Sequence, residues 1–241
     1  MGYATDTLTG GKFYIKAAQF QDVQSGELII GNTVKGYEGV DFDEELNFQT
    51  TAPQILVQKA SGAGYDSYYF LNDAYIEETD STTKGWADSN GNYVNLTIDP
   101  CVAYWFKVVS GDSEVTTSGQ VENDGSVDIT VPQNKFTLVG NAYPMAITLN
   151  GVQMTSSDIV GVDFDEELNF QTTAPQILVQ KASGAGYDSY YFLNDAYIEE
   201  SDTTTTGWAD SNGNYVSTAI PVGTGFWSKG VTGEVTFTFS K

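Results

Sequence analysis

The chain has 241 residues, with 32 Asp and Glu against ten basic residues, all of them lysine, and a formal net charge of -22. It contains no histidine and no arginine, so a Ser-His-Asp relay, a Cys-His pair, an imidazole metal ligand and a bidentate phosphate clamp are all excluded. The charge disfavours nucleic acid and anionic lipid as partners. No apolar run approaches the ~18 residues of a membrane span, which argues against membrane insertion.

Helical periodicity is scarce. Short apolar or alternating runs of Val, Ile, Thr, Tyr and Phe, punctuated by Gly, Asn, Asp or Pro, read as strands. In chain order, residues 1–10 lack the basic start and apolar core of a signal peptide. Within them Tyr3, Thr5 and Leu8 form a candidate assembly strand, an edge that completes a sheet of another copy. Residues 13–15 are the next expected strand.

Residues 39–94 then recur as 161–216, always 122 positions later, with three differences: Thr79/Ser201, Ser81/Thr203 and Lys84/Thr206. Weaker matches on either side, such as Trp105 with Trp227, extend the repeat to units of 1–124 and 125–241, each large enough for its own core. The expected architecture is all-β, as two tandem homologous β-sandwich or β-barrel domains.

The repeated block opens on an acidic cluster. In an extended strand Asp41, Asp43 and Glu45, and their copies Asp163, Asp165 and Glu167, would share one face and offer hard oxygen ligands to Ca²⁺. The competing reading is a solvated acidic rim. Adjacent acids also produce the ~5 Å spacing of a retaining glycosidase pair at no cost, so no catalytic residue is assigned. A strand at 54–59, a turn at 61–64 and a strand at 65–71 make a hairpin. The acids Asp73, Glu77, Glu78 and Asp80, followed by a Ser/Thr run, read as a flexible acidic loop.

Asn90-Gly91 sits between aromatic-bearing segments, where a type I′ turn would close a second hairpin. The alternative for Asp88 to Asn92, a calcium loop, fails because its sixth position is Tyr93 rather than Gly. Trp86 and Tyr93, with their copies Trp208 and Tyr215, are candidate glycan-stacking residues, weighed against cross-strand core pairing. Further strands are expected at 93–98, 104–108, 127–131 and 136–139. The lone Cys101 reads as a small buried apolar residue, because its aligned partner is Gly223. The tail Val235, Phe237 and Phe239 alternates strictly, and is a second candidate assembly strand if its own sheet does not cover it.

The ordered series Leu138-Val139-Gly140-Asn141-Ala142-Tyr143-Pro144, the Ile-Leu-Val-Gln strand, the Gly-Tyr-x-x-Tyr-Tyr-Phe strand, Trp-Ala-Asp and Val222-Gly223-Thr224-Gly225-Phe226-Trp227 resembles secreted, internally duplicated bacterial β-domain proteins of unestablished activity. The first unit departs from that pattern, with Cys101-Val102-Ala103-Tyr104-Trp105 in place of Gly-x-Gly-Phe-Trp. The resemblance implies secretion and duplication and carries no catalytic residue.

With that inventory, the expected function is a non-catalytic extracellular or cell-surface subunit whose partner is another copy of itself, assembling through strand edges into a fibre, filament or surface layer. The alternative is a glycan-binding or adhesion module with two equivalent sites for surface glycans, in which duplication raises avidity.

Overall fold

The computed structural model describes residues 1–25, 29–42, 47–109, 111–164, 169–231 and 233–241. The chain is all-β, and the named strand ladders of residues 1–124 and 125–241 remain separate. The first half contains β1 (Gly2–Leu8), β2 (Phe13–Ala17), β3 (Phe20–Gln21), α1 (Ile30–Thr33), β4 (Val34–Lys35), α2 (Phe48–Thr51), β5 (Gln54–Gln58), β6 (Tyr65–Ile76), β7 (Ser81–Ala87), β8 (Ala103–Lys107) and β9 (Ser113–Val121). The second contains β10 (Ser126–Val131), β11 (Phe136–Gly140), β12 (Ile147–Thr148), β13 (Met154–Ser157), α3 (Phe170–Thr173), β14 (Gln176–Gln180), β15 (Tyr187–Ile198), β16 (Thr203–Ala209), β17 (Ala219–Ile220), β18 (Gly225–Lys229) and β19 (Val235–Ser240).

Each half has a large antiparallel sheet, ordered β2-β8-β5-β6-β7 and β11-β18-β14-β15-β16, and a smaller sheet facing it. The smaller sheets centre on β9, flanked by β1 and by the short β3 and β4, and on β19, flanked by β10 and β13. Alternation decides what lies between the layers. Val235, Phe237 and Phe239 meet Ile177, Trp208 and Phe226 in one apolar cluster, and Leu8 and Val115 meet Ile55, Phe70, Trp86 and Phe106 in the other. This is sandwich packing, with side chains of two inner faces interdigitating. On the outer face of each large sheet, Phe48 packs edge-on to Tyr69 and Phe170 to Tyr191, both at 5.2 Å.

Three sequence expectations change. The acidic stretch after Asp73 is a tight turn rather than a flexible loop: β6 continues to Ile76, Glu77–Thr79 form one 3₁₀ turn closed by Asp80 in the left-handed region, and the Ser/Thr run is strand β7, which pairs with β6 across a bulge between Leu71 and Ala74. Thr and Ser at alternate positions suit a strand whose outer face is wet. Residues 93–98 make only isolated bridges instead of a strand. The Asn90-Gly91 turn is not type I′, because only Gly91 has positive φ (84°). Instead the Gly91 N–H donates to the Asp88 carbonyl at 3.1 Å, while the Asp88 carboxylate accepts from the N–H groups of Asn90 and Asn92 at 2.8 and 3.0 Å. A left-handed Gly following a type I turn in a three-residue loop is the form these contacts describe.

The halves meet across an approximate twofold axis. Gln180 reaches the outer edge of β2, accepting from the Ile15 N–H at 3.0 Å and donating to the Phe13 carbonyl at 2.8 Å. Gln58 does the same to β11, accepting from the Leu138 N–H at 3.0 Å and donating to the Phe136 carbonyl at 2.6 Å. Lys12 donates to the Ser183 carbonyl and Lys135 to that of Ser61. Backbone bonds repeat the relation, Ala17 N–H to Gly223 O at 2.9 Å and Gly140 N–H to Cys101 O at 2.8 Å. Trp105 and Trp227 meet directly, with ring centroids 6.4 Å apart. These are isologous contacts of the kind a symmetric dimer makes, here within one chain.

Candidate functional site

Of the acidic cluster, Asp43, Glu45, Asp165 and Glu167 lie outside the described residues. Asp41 and Asp163 are exposed and not in a strand, which corrects the expectation of an extended strand there; only the preceding Val40 and Val162 make isolated bridges. Each accepts from an asparagine amide of the long strand, Asn72 at 3.0 Å and Asn194 at 3.1 Å. One residue further, Asp73 accepts from the Phe42 N–H at 2.7 Å and Asp195 from the Phe164 N–H at 2.6 Å. The start of the acidic segment is therefore pinned against β6 and β15. Among the described residues no three acidic or cysteine side chains gather as a metal group.

The tryptophans chosen as stacking residues are core residues: Trp86 and Trp208 are each 2% exposed. Both sit on the inward face of β7 or β16, where the aromatic ring is worth most when buried. Trp86 packs on Phe70 at 5.3 Å and Trp208 on Phe192 at 5.3 Å. Neither presents a face to a sugar. Tyr93 is 41% exposed and Tyr215 half-buried, but the Tyr93 ring lies against Gly85, where a Cβ would stand 2.5 Å from it.

The half-exposed tryptophans are instead Trp105 and Trp227, which sequence inspection passed over. Phe13 stands edge-on to Trp105 at 6.3 Å and Phe136 to Trp227 at 6.2 Å, with Lys107 and Lys229 over the two phenyl rings at 5.2 and 5.4 Å. Phe136, Leu178, Tyr187 and Trp227 line an open groove of about 240 Å³. The signal available was the recurrence of Phe and Trp outside the verbatim block.

The two candidate assembly strands separate. Strand β19 is central, paired with β10 on one side and β13 on the other, and Val235, Phe237 and Phe239 are buried at 2%, 0% and 0%. Its alternation is that of an ordinary core strand, and it is not an edge. Strand β1 is one: it pairs with β9 over all seven residues, and among the described residues no strand pairs with its other side. Tyr3 is 77% exposed and Thr5 exposed, whereas Leu8 is buried in the first core. Asp6 points inward and binds Lys16 at 2.6 Å, an inward charge at a sheet edge. Strand β10 is the corresponding edge of the second half, and β13, on the other side of β19, is an edge as well, bracketed by Val152 and Val160, which are 81% and 59% exposed.

Cys101 is fully buried with φ of 64°. Burial pushes its thiol up to about 12, a hydrogen bond with the Ala142 backbone opposing this and Asp128 and Glu122 adding to it. It is a packed residue, not a nucleophile.

A scan of protein-family models, a search of curated proteins and a search of solved structures found no match to this chain. No helix among the described residues is long and apolar enough to cross a membrane.

Proposed function

We propose that the chain is a non-catalytic extracellular structural subunit, built of two tandem homologous β-sandwich domains, that assembles through strand edges. The observation that carries this reading is β1, seven residues long, paired on one side and presenting Tyr3 and Thr5. An unpaired edge is a template for another strand. Its complement in this reading is β13, an edge of the other small sheet flanked by exposed valines. Pairing β1 of one copy with β13 of the next is a heterologous contact, and such contacts build open filaments when they do not close into a ring. The resemblance to duplicated secreted β-domain proteins supports the location.

Lysines placed at Tyr3 and Thr5 leave Leu8 and the first core untouched while charging the edge. The variant Tyr3→Lys/Thr5→Lys is expected to remain monomeric by light scattering and negative-stain microscopy under conditions where the parent chain polymerises. Unaltered polymers, or a parent chain that stays monomeric at every concentration, would defeat the reading. Calcium at the acidic clusters belongs to the same reading. Melting with and without EDTA tests it, since a ion bound only by the folded state raises stability.

A glycan-binding surface is the second reading; the aromatic groove at Trp227 supports it, whereas the buried Trp86 and Trp208 do not. Binding on a glycan array that is lost in Trp227→Ala supports this reading; an array without hits refutes it.

A further inference from the structure

The two copies of the verbatim block differ at one strand edge. In the second half the backbone of Trp208 is closed off by Asn150, whose carbonyl oxygen accepts from the Trp208 N–H at 2.8 Å and whose amide donates to the Trp208 and Val216 carbonyls at 2.9 and 2.8 Å. The position that reaches this place in the first half is Gly31. Its neighbour Ile30 donates to the Leu96 carbonyl, as Asn150's neighbour Leu149 donates to the carbonyl of Thr218, 122 residues on from Leu96. Glycine has no side chain to close the edge, and a cavity of about 390 Å³ stands there, lined by Gly31, Lys35, Tyr37, Phe70, Lys84 and Trp86 among others.

The lining is unusual for this chain. Among the described residues it contains two of the ten lysines and no carboxylate, although the chain carries 32 acids. Lys84 is one of the three differences between the copies. Its ammonium lies 5.7 Å from the Phe70 ring centroid and 3.9 Å from the Glu38 carboxylate, which is itself almost wholly exposed. Such a solvent-screened pair is weak and yields readily to a competing anion. Lys35 is held by a 2.6 Å bond to the Gly31 carbonyl. In the wall, the buried Trp86 indole N–H has no hydrogen-bond partner among the described residues. Burial raises the neighbouring Tyr37 phenol above its ordinary range, opposed by a contact from the Trp86 indole that falls short of a full hydrogen bond, so Tyr37 remains a donor. An unpaired buried donor is costly to the fold and favours an acceptor brought by a ligand.

We infer that the first half, and not the second, binds a small ring-bearing carboxylate in this cavity. The lysines supply the charge, the Trp86 indole and Tyr37 hydroxyl supply donors, and Phe70, Ile29 and Leu96 supply apolar walls for the ring. The volume falls within the range of small-molecule sites. The site is independent of strand-edge assembly and does not rest on it.

The test is calorimetric titration of the full chain, with tryptophan fluorescence as a second readout. D-glucuronate and phenylacetate represent a sugar and an aryl source of the same carboxylate chemistry, with D-glucose and phenylacetamide as their neutral counterparts. At least one carboxylate is expected to bind saturably, with its neutral counterpart about tenfold weaker or more. Lys84→Thr installs the residue the second half already carries, and is expected to weaken binding by a similar factor with the melting curve unchanged. Gly31→Asn, whose Cβ would stand at an ordinary 3.5 Å from Trp86 Cδ1, is expected to fill the cavity and abolish binding. Absence of saturable binding by both carboxylates, equal binding by the neutral counterparts, or full affinity in a folded Lys84→Thr chain would overturn the assignment.

Discussion

Replacing Gln180 by alanine removes a side chain that makes two hydrogen bonds to the β2 edge across the junction. The Ile15 N–H that it serves belongs to a residue 2% exposed, so water does not take its place. Stranding a buried donor costs about 1–3 kcal/mol, and the lost bond to the Phe13 carbonyl adds about 1 kcal/mol. A total of about 2–4 kcal/mol corresponds to a roughly 30- to 1,000-fold change in the folding equilibrium. Urea unfolding followed by tryptophan fluorescence and circular dichroism reads it as a lower midpoint at unchanged slope. Gln58→Ala should lose slightly less, because the residue whose carbonyl it serves, Phe136, is 38% exposed and water can substitute there. If both variants lose under about 0.5 kcal/mol, the glutamines are surface decoration and the reciprocal junction does not hold the halves together.

Other outcomes follow from buried ionisable groups and from the turns. Burial raises Cys101, Tyr37 and Tyr104, so the folded chain keeps protons that the unfolded chain releases above pH 9 for the thiol and above pH 10 for the phenols. Their contribution to stability is complete below pH 9 and is lost as pH rises; a urea midpoint that stays flat or climbs between pH 9 and 11 contradicts this. In the same folded chain Cys101 should ignore a thiol reagent at pH 8 and react once urea unfolds it, and rapid native labelling would show the burial to be wrong. Asp88→Ala and Asp210→Ala each remove a carboxylate that accepts two turn N–H groups. Each should cost about 1 kcal/mol, and unequal losses would mean the two copies are not equivalent there.

The fold class was legible because strand alternation and turn chemistry are local: the strands expected at 54–59, 127–131 and 136–139 emerge within one residue of those bounds. What was missed shows where local signals stop. Strand β7 is a run of Ser and Thr that composition alone assigns to a loop, and only pairing with β6 makes it a strand. Trp86 and Trp105 cannot be told apart by residue type; one faces the sandwich core and the other the junction, and that depends on which face of which strand a neighbour covers. The tail 235–239 carried a correct alternation but an open question about its neighbours, which β10 and β13 answer from distant sequence. Gln58 looked like any polar strand residue. Its exact retention as Gln180 was the one hint, since an exposed position has no reason to be preserved unless something outside its own core reads it.

The axis explains both the identity of the block and the divergence of its flanks. Off the axis, a residue in one half meets a different residue in the other, so one sequence can satisfy both sides, as Gln58 and Gln180 do. Near the axis a residue meets its own counterpart, and two identical side chains must share one space. Ala103 aligns with Gly225, and a Cβ on Gly225 would stand 2.4 Å from the Ala103 Cβ; Ala17 aligns with Gly140, whose Cβ would stand 2.6 Å from the Ala17 Cβ. Two alanines do not fit at either place, so one copy carries Ala and the other Gly. Gly225→Ala is therefore expected to cost about 1–3 kcal/mol through overpacking, read as a fall in the urea midpoint. Adding Ala103→Gly removes the nearer collision but leaves the Ile15 Cγ2 contact at 2.8 Å, and should restore part of that loss, a non-additive result for residues in contact. A double variant no more stable than Gly225→Ala alone would show that the flanks diverged for some reason other than the collision of a residue with its own copy.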